Sequence, residues 1–340
     1  MSRHVLVVRL DSDGDVLLAG PAIRAVAAGT RRVTLLCGPR GRHAAELLPG
    51  VDELVVHRAP WIDPEPEPLN PTRTRALVAR VSALGVDQAI VLTSFHQSAL
   101  PTALLLRLAE VPTIAAISED YAGSLLDVRH RVADDVHEVE RGLSVVATLG
   151  YELPPDDEGG LQIVRGTDMN PAGKKPYVVV HPGASVPART WPPKKHARLV
   201  EALAGEGLDV VVTGGPEERR LTAFVAGEAA LDLGGRTTFA ELAEVLAGAE
   251  ALVVGNTGPA HLAAAVGTPV VSLFAPVVPA ACWRPWRVPH LLLGDQHAPC
   301  VGTRARLCPV PGHPCLDTVS VADVAAAVDE LAPLRDAVVA

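Results

Sequence analysis

Short apolar runs alternate with longer Ala- and Leu-rich segments through the first half of the chain. The runs are rich in β-branched residues and end in turn formers, which predicts strands at residues 5–10, 33–37, 54–57, 89–93 and 113–117. Helical periodicity follows at residues 16–28, 41–48, 72–84, 98–109 and 137–149, whereas the proline-rich residues 61–71 are predicted to form a loop. This alternation predicts a parallel sheet built from βαβ units.

A second series follows a polar stretch rich in Gly and Pro. It predicts strands at residues 177–180, 209–213, 251–254 and 270–274, a short strand at 161–164, and helices at 194–204, 217–226, 238–247, 259–266 and 321–334. We therefore expect an α/β protein with two Rossmann-like, doubly wound domains facing each other across a cleft. The expected boundaries are an N-terminal domain at 1–165, a linker at 166–176, a second domain at 177–318, and a C-terminal helical segment at 319–340 that packs back towards the N-terminal domain.

Composition supports two buried cores and narrows the range of partners. The 340 residues are 48% hydrophobic but only 3% aromatic, so aliphatic side chains must fill the cores, as in parallel sheets covered by helices. A net charge of −9 and the absence of a basic segment exclude nucleic acid as an expected partner and favour at most peripheral membrane contact. Without an apolar run of about 20 residues or a signal-peptide pattern, the expected location is the cytoplasm.

Three aspartates follow the first predicted strand, where a Gly-bearing turn precedes a helix. Asp11, Asp13 and Asp15 place like charges at the carboxyl end of that strand, which favours a raised pKa and a general base. Helix capping by Asp13 or Asp15 is the structural alternative. A calcium loop is disfavoured, because Val16 and Ala22 stand where an EF-hand carries Gly and Glu.

Three further loops follow strands in the second half. Residues 181–185 read His-Pro-Gly-Ala-Ser and precede Arg189, whose guanidinium suits phosphate oxygens. Residues 213–218 read Thr-Gly-Gly-Pro-Glu-Glu, a turn with carboxylates that can accept hydrogen bonds from ribose hydroxyls. Residues 255–261 form a Gly-rich turn ahead of a helix that has Pro259 at its start and His261 in its first turn. A helix start of this kind is suited to binding a diphosphate.

Other common motifs are missing, and the cysteines are few. No strand is followed by G-x-G-x-x-G, which removes the main support for a nicotinamide-dependent oxidoreductase, and neither a G-x-S-x-G nor a Walker sequence occurs. Cys300, Cys308 and Cys315 lie near His297 and His313, but without a C-x-x-C pair reduced thiols are favoured over a metal site. We expect neither a metal nor a cofactor.

Together these stretches resemble glycosyltransferase family 9, the ADP-heptose:lipopolysaccharide heptosyltransferases, whose members have the GT-B fold. The likeness rests on Arg-Leu-x-Ser-x-Gly-Asp-Val, His-Pro-Gly-Ala-Ser with the Trp-Pro after it, Thr-Gly-Gly-Pro-x-Glu, Leu-Ala-Gly-Ala, Thr-Gly-Pro-x-His-Leu-Ala-Ala-Ala and the Cys-bearing tail. The helix that begins near residue 137 also resembles the interdomain helix of the family. The order and spacing of these motifs extend over nearly the whole chain.

The resemblance implies an inverting, metal-independent transfer of a sugar from an ADP-sugar to an acceptor hydroxyl. The catalytic base of the family falls on Asp15, the phosphate-contacting cation on Arg189, the ribose-contacting carboxylate on Glu218, and a residue beside the adenine on Thr237. The implied donor-binding residues are Gly183, Ala184, Ser185, Arg189, Gly215, Glu218, Thr237, Asn256, Thr257, Gly258 and His261. Acceptor contacts come from the N-terminal domain, with Asp13, Ser94 and His96 as candidates.

The sequence departs from the family pattern at two positions. Asn256 stands where heptosyltransferases usually carry an Asp that contacts the donor sugar, which leaves a sugar other than heptose open, and Arg189 replaces a lysine. Two other functions remain open: a Mg²⁺-dependent phosphatase of the haloacid-dehalogenase type using Asp11 and Asp13, and a nucleotide-sugar-binding protein without catalysis. The acceptor, whether glycan, glycolipid or small molecule, and the oligomeric state are not fixed by the sequence.

Overall fold

A computed structural model describes residues 3–166 and 169–333 of the chain. These residues form two compact units, the first ending at Val164 and the second beginning at Arg165. Each unit contains a six-stranded sheet in which every paired strand is parallel to its neighbour. The chain is therefore α/β with two doubly wound sheets, the fold class that the sequence predicts.

The first unit has the strand order β3-β2-β1-β4-β5-β6. Because β1 pairs with both β2 and β4, the strand order reverses between β1 and β4. Ligands of doubly wound sheets bind beyond the carboxyl ends of the strands at this switch point. The elements are β1 His4–Arg9, α1 Asp13–Leu18, α2 Gly20–Ala28, β2 Arg32–Cys37, α3 Arg42–Ala45, β3 Glu53–Val56, α4 Pro71–Leu84, β4 Gln88–Val91, α5 Leu100–Leu108, β5 Thr113–Ile117, β6 Val128–His130 and α6 Glu138–Ala147.

The second unit repeats this topology with the order β12-β11-β10-β7-β8-β9. Its switch point lies between β7 and β10, since β7 pairs with both β8 and β10. The elements are β7 Tyr177–His181, α7 Pro193–Gly205, β8 Asp209–Val212, α8 Arg219–Ala226, β9 Leu231–Asp232, α9 Phe239–Ala247, β10 Ala251–Gly255, α10 Gly258–Val266, β11 Val270–Leu273, α11 Ala280–Trp283, β12 His290–Leu293, α12 Pro314–Asp317 and α13 Val321–Leu331.

The central strands are buried along their whole length. Every residue of β1, β7 and β10 is buried, and Val is the commonest residue in each strand. Strands covered on both faces bury apolar side chains at successive positions, so they lack the alternating pattern of a half-exposed strand. This burial fixes the carboxyl ends of β1, β7 and β10, where the candidate chemistry lies.

Several predicted elements differ from the structure. The predicted helix at 16–28 is divided into α1 and α2, because Pro21 lacks the N–H that an uninterrupted helix needs and stands at the start of α2. The predicted helix at 41–48 is reduced to α3 after a 3-10 turn, Pro39–Gly41. Residues 161–164 are not a strand. The short strands β6, β9 and β12, and the one-turn helices α11 and α12, were not predicted.

The C-terminal helix α13 packs within the second unit. It contacts α7 and the strands β10, β11 and β12, and it contributes Val324 and Val328 to the core of that unit. The predicted packing of the C-terminal segment towards the N-terminal domain stays a prediction, and residues 334–340 of that segment lie outside the described residues. Residues 167 and 168 of the predicted linker also lie outside the described residues.

Candidate active site

The switch point of the first unit carries a buried arginine at its centre. Arg9 is the last residue of β1 and is only 3% exposed. Its Nε lies 2.9 Å from Asp11 Oδ2, its Nη1 donates to Glu138 Oε2 at 3.2 Å, and its Nη2 donates to Asp15 Oδ1 at 3.0 Å. Burial acts to lower the pKa of Arg9, but the three carboxylates together raise it above its ordinary value. Arg9 is therefore a fixed cation that holds three carboxylates in place.

Asp15 is the carboxylate of this cluster that solvent reaches most. Its side chain is 22% exposed, against 9% for Asp11 and 1% for Glu138. Its Oδ2 accepts a hydrogen bond from Ser12 Oγ at 2.8 Å, while Arg9 binds the other oxygen. Asp15 lies in the first turn of α1, whereas the sequence analysis predicted the helix to begin at residue 16. Its carboxylate is therefore oriented by two donors and remains accessible to a substrate.

Asp11 and Asp13 each bind groups of the protein. Burial raises the pKa of Asp11 to about 6, although Arg9 opposes this shift, and Gln97 donates a hydrogen bond to its Oδ1. Asp13 Oδ1 accepts from the backbone N–H of Ala44 at 2.9 Å, and burial raises its pKa as well. The N-cap residue of α1 is Ser12, so neither Asp13 nor Asp15 occupies the capping position that the sequence analysis left open. Asp13, a predicted acceptor contact, connects α1 to α3 in this structure.

The other two predicted acceptor residues lie on the loop after β4 and differ in their surroundings. Ser94 is buried, and its Oγ accepts a hydrogen bond from Arg9 Nη2 at 2.8 Å, so it supports the arginine. His96 lines a pocket of the first unit and makes an edge-to-face contact with Phe95. Of these two residues, His96 is the one that a ligand can reach.

In the second unit, the loop after β7 packs on Glu218. A Cβ at Gly183 would lie 1.9 Å from Glu218 Oε1, so only glycine permits this approach. Glu218 Oε2 accepts from the N–H of Gly215 at 2.8 Å and lies 3.9 Å from His181 Nε2. Burial lowers the pKa of His181, which Glu218 partly opposes, and the Nδ1 of the histidine pairs with Thr213 Oγ1. The Glu218 carboxylate is thereby held between the loops after β7 and β8.

Arg189 lies at the other side of this switch point. It ends a 3-10 turn, Pro187–Arg189, that packs on the end of β10, because a Cβ at Gly255 would lie 2.8 Å from the backbone oxygen of Arg189. Its Nη1 donates to the backbone oxygen of Asn256 at 3.4 Å. The close approach at Gly255 explains how a predicted phosphate-binding cation reaches the turn that precedes α10.

The turn after β10 leads directly into α10. Thr257 is the N-cap residue but makes no side-chain capping hydrogen bond, and Pro259 lies in the first turn. Backbone N–H groups and the helix dipole at such a start attract anions. Gly258 and the buried His261 lie within this first turn, as predicted. The start of α10 therefore offers an anion site beside the turn that carries Arg189.

The remaining predicted donor residues lie on loops of the same unit. Ala184 and Ser185 follow Gly183, Gly215 precedes the 3-10 turn that contains Glu218, and Thr237 stands immediately before the N-cap residue of α9. Asn256 is buried, and its side-chain amide pairs with the backbone of Ala275, donating and accepting at 3.4 Å. The amide of Asn256 is thus already engaged by the protein.

Sequence reasoning missed several residues that the structure places in these sites. Glu138 is 129 residues from Arg9 in sequence, and Gln97 is 86 residues from Asp11. His196 was also missed: it packs edge to face on Trp191, with ring centroids 4.9 Å apart, and burial lowers its pKa to about 3. The only sequence signal for Glu138 was its place in the helix that resembles the interdomain helix of the family.

The described residues contain neither a metal-binding cluster nor a helix that could cross a membrane. Within residues 3–166 and 169–333, no group of three or more His, Cys, Asp or Glu side chains is arranged to hold a metal ion. Cys300 and Cys315 are buried free thiols, and burial, together with the neighbouring Cys300, raises the pKa of Cys315 to about 12. Of the helices described, none is long and apolar enough to cross a bilayer.

Known proteins with this fold include two solved structures that align with nearly all of the chain. A glycosyltransferase of family 9 from Veillonella parvula has a TM-score of 0.78 at 18% identity, covering 97% of each chain. The E. coli ADP-heptose lps heptosyltransferase II has a TM-score of 0.74 at 18% identity, covering 99% of this chain and 100% of the other. The fold is therefore that of the GT-B heptosyltransferases.

Sequence comparison identifies the family. The model of glycosyltransferase family 9 (heptosyltransferase) matches residues 74–312, and the chain belongs to this family. Lipopolysaccharide heptosyltransferase 3 of Escherichia coli is 32% identical over 213 residues, which is 57% of this chain and 60% of that protein. The chain thus spans about 60% of the length of this relative. Asp15 lies outside the residues that the family model matches.

Proposed function

We propose that the protein is an inverting glycosyltransferase that moves a sugar from an ADP-sugar to an acceptor hydroxyl, with Asp15 as the general base. The observation that carries this proposal is the oriented, solvent-accessible carboxylate of Asp15 at the switch point of the first sheet. In this account the first unit binds the acceptor and supplies the base, and the second unit binds the donor.

In the proposed reaction, Asp15 accepts the proton of the acceptor hydroxyl. The oxygen then attacks the anomeric carbon from the face opposite the diphosphate, the new glycosidic bond forms, and the bond between that carbon and the diphosphate oxygen breaks. ADP leaves with the bonding electrons, and the configuration inverts. Arg9 and Ser12 orient the base for this step.

Charge on the leaving diphosphate is balanced, in this proposal, by the protein. Arg189 and the N-terminus of α10 supply a cation and backbone dipoles, and fixed groups of this kind stabilise developing charge effectively. On this basis we propose that transfer needs no metal ion. Glu218, whose Oε2 is already bound by Gly215, offers Oε1 to the ribose hydroxyls. Thr237 is proposed to lie beside the adenine.

The proposed donor is ADP-heptose, because the family is named for heptosyltransferases and the E. coli structure of similar fold is an ADP-heptose enzyme. Relatives named lipopolysaccharide heptosyltransferase support a lipopolysaccharide acceptor. The cytoplasmic location predicted from the sequence stays a prediction.

Thermal stabilisation by ADP, UDP, GDP and dTDP, each with and without Mg²⁺, tests the donor half of the proposal. A selective increase in Tm with ADP that is unchanged by Mg²⁺ is expected. Preference for another nucleotide would overturn the choice of an ADP-sugar. A response to Mg²⁺ alone would favour the phosphatase, and ADP binding without turnover across a broad acceptor panel would favour a non-catalytic binding protein.

Replacing Arg189, the proposed phosphate-binding cation, tests the donor-binding part of the proposal with a single substitution. Arg189→Gln is expected to weaken ADP binding about 10- to 150-fold, since a charge-assisted hydrogen bond contributes about 1.5–3 kcal/mol. Arg198→Gln is the control, because Arg198 is exposed on α7 of the same unit. Equal affinity in the two variants, measured by titration calorimetry, would contradict the role of Arg189.

A further inference from the structure

A pocket of about 200 Å³ opens to solvent in the first unit. Its walls come from the loops after β4 and β5, at residues 95–98 and 117–120, with Thr93, Val132 and Asp134 beside them and Arg141 of α6 among its lining residues. This volume is smaller than the roughly 300–1,000 Å³ that is typical of sites for drug-sized ligands. The pocket therefore suits a ligand no larger than a single sugar residue.

The pocket adjoins the network that holds the proposed base. The side chain of Gln97 lines the pocket and also donates to Asp11. Arg141 Nε lies 3.4 Å from Glu138 Oε1, and the other oxygen of Glu138 accepts from Arg9, which binds Asp15. A ligand in this pocket would contact Gln97 and Arg141, and each of these side chains is connected to Asp15 through three successive contacts.

Arg141 is a buried cation that lines the pocket. The residue is only 5% exposed, and within the part of the chain that is described its guanidinium forms one ion pair, with Glu138. Its Nε is buried without a hydrogen bond. A guanidinium carries five N–H donors, so oxygen atoms of a ligand in the pocket can accept hydrogen bonds from Arg141.

Three carboxylates also line the pocket. Glu119, Asp120 and Asp134 are exposed carboxylates on the walls, and the charge of Arg141 is already matched by Glu138. Arg131 lies 3.9 Å from Glu119, but both side chains are exposed, so this pair offsets little of the charge. The pocket therefore repels a phosphate or a carboxylate, while its carboxylates can accept hydrogen bonds from hydroxyl groups.

We propose that this pocket binds the acceptor and that the acceptor residue it takes is a neutral, polyhydroxylated sugar. A sugar hydroxyl both donates and accepts, so its oxygen can bind the guanidinium of Arg141 while neighbouring hydroxyls donate to the acidic wall. The inference rests on the proposed function, since it identifies the acceptor of the same reaction. It assigns Arg141 to acceptor binding and the acidic wall to the rejection of charged sugars.

Binding of matched sugars to the full chain tests the proposal without requiring turnover. The probes are the methyl glycosides of glucose, galactose and mannose, each compared with its uronic acid and its 6-phosphate, and the readout is saturation-transfer NMR with titration. At least one neutral glycoside is expected to bind about tenfold more tightly than its charged counterparts. Stronger binding of the charged members, or no binding of any member, would overturn the proposal.

Two variants assign the effect to this pocket. Arg141→Lys keeps the charge beside Glu138 but loses the planar fork, and it is expected to weaken the neutral sugar about tenfold, whereas Arg80→Gln, an exposed arginine paired with Glu53, should have no effect. The exposed triple variant Glu119→Gln, Asp120→Asn, Asp134→Asn should bind the charged sugars more tightly. Unchanged selectivity in that variant would overturn the role of the acidic wall.

Failure of this inference can be told apart from failure of the proposed function. Sugar binding that depends on Arg141, in a chain that neither binds ADP nor transfers a sugar, would uphold the pocket and reject the transferase. Transfer from an ADP-sugar to charged sugars only, unaffected by Arg141→Lys, would uphold the transferase and reject the pocket.

Discussion

The side-chain amide of Asn256 makes two contacts with the backbone of Ala275 that a carboxylate cannot both make. Its Nδ2 donates to the Ala275 oxygen and its Oδ1 accepts from the Ala275 N–H, each at 3.4 Å. The resemblance to the family implies Asp at this position, and on sequence alone the change left a donor sugar other than heptose open. The structure gives the residue a local reason to be Asn, because the amide joins the turn after β10 to the residues that follow β11.

Asn256→Asp is therefore expected to destabilise the protein by about 1 kcal/mol, since one of the two contacts becomes an unfavourable pair of acceptors. The midpoint of urea unfolding measures the change. Asn70→Asp is the matched control: Asn70 caps α4 through its side-chain oxygen alone, which an aspartate supplies equally well. Equal midpoints for the two variants would show that the Ala275 contacts contribute nothing.

Asp11 gives the first unit a pH dependence whose sign can be worked out. Burial raises the pKa of Asp11 to about 6 from its ordinary value of 3.8, so the folded chain binds this proton more tightly than the unfolded chain. The contribution to stability is complete below about pH 4 and is lost as the pH rises through about 6, amounting to no more than about 3 kcal/mol.

The comparison that isolates this effect is between the native chain and Asp11→Asn. Between about pH 4 and 6, the urea midpoint of the native chain should fall relative to that of Asp11→Asn, because only the native chain loses a bound proton. Asp156→Asn, at an exposed position, should follow the native profile. Parallel profiles for the native chain and Asp11→Asn would show that the Asp11 pKa is not raised.

Among the structural elements, the loops that end β7 and β8 depend on one another through Glu218. Gly183 leaves the space that the Glu218 carboxylate occupies, and Gly215 donates the N–H that binds it. The sequence identified both loops as ligand-binding because each follows a strand and is rich in small residues. It did not show that a glycine of one loop is required by a carboxylate of the other, since that contact depends on how the strands pair.

Gly183→Ala is expected to displace Glu218 and to weaken ADP binding about tenfold, because the new Cβ would lie 1.9 Å from Oε1. Gly205→Ala is the control: Gly205 ends α7, and nothing lies within 4 Å of a Cβ there. Titration calorimetry with ADP measures both variants. An unaltered affinity in Gly183→Ala would exclude Glu218 from nucleotide binding.

For the whole molecule, the sequence predicted the two αβ series because their central strands are buried runs of β-branched residues. The strands β6, β9 and β12 were not predicted, because they are only two to four residues long and are stabilised by pairing with adjacent strands. The residues of the candidate site also differ in whether the sequence could predict them. Motifs located Asp15, Arg189 and Glu218, whereas the Arg9–Glu138 pair joins residues 129 positions apart, which only the folded chain brings together.

Turnover by an Asp15→Ala variant tests the central claim most directly. Release of ADP from ADP-heptose in the presence of acceptor is measured for the native chain, for Asp15→Ala and for the exposed control Asp156→Ala, together with ADP affinity. If Asp15 is the general base, turnover should fall about 10²–10⁴-fold in Asp15→Ala alone, while its ADP affinity stays unchanged. Native turnover in Asp15→Ala would contradict the account.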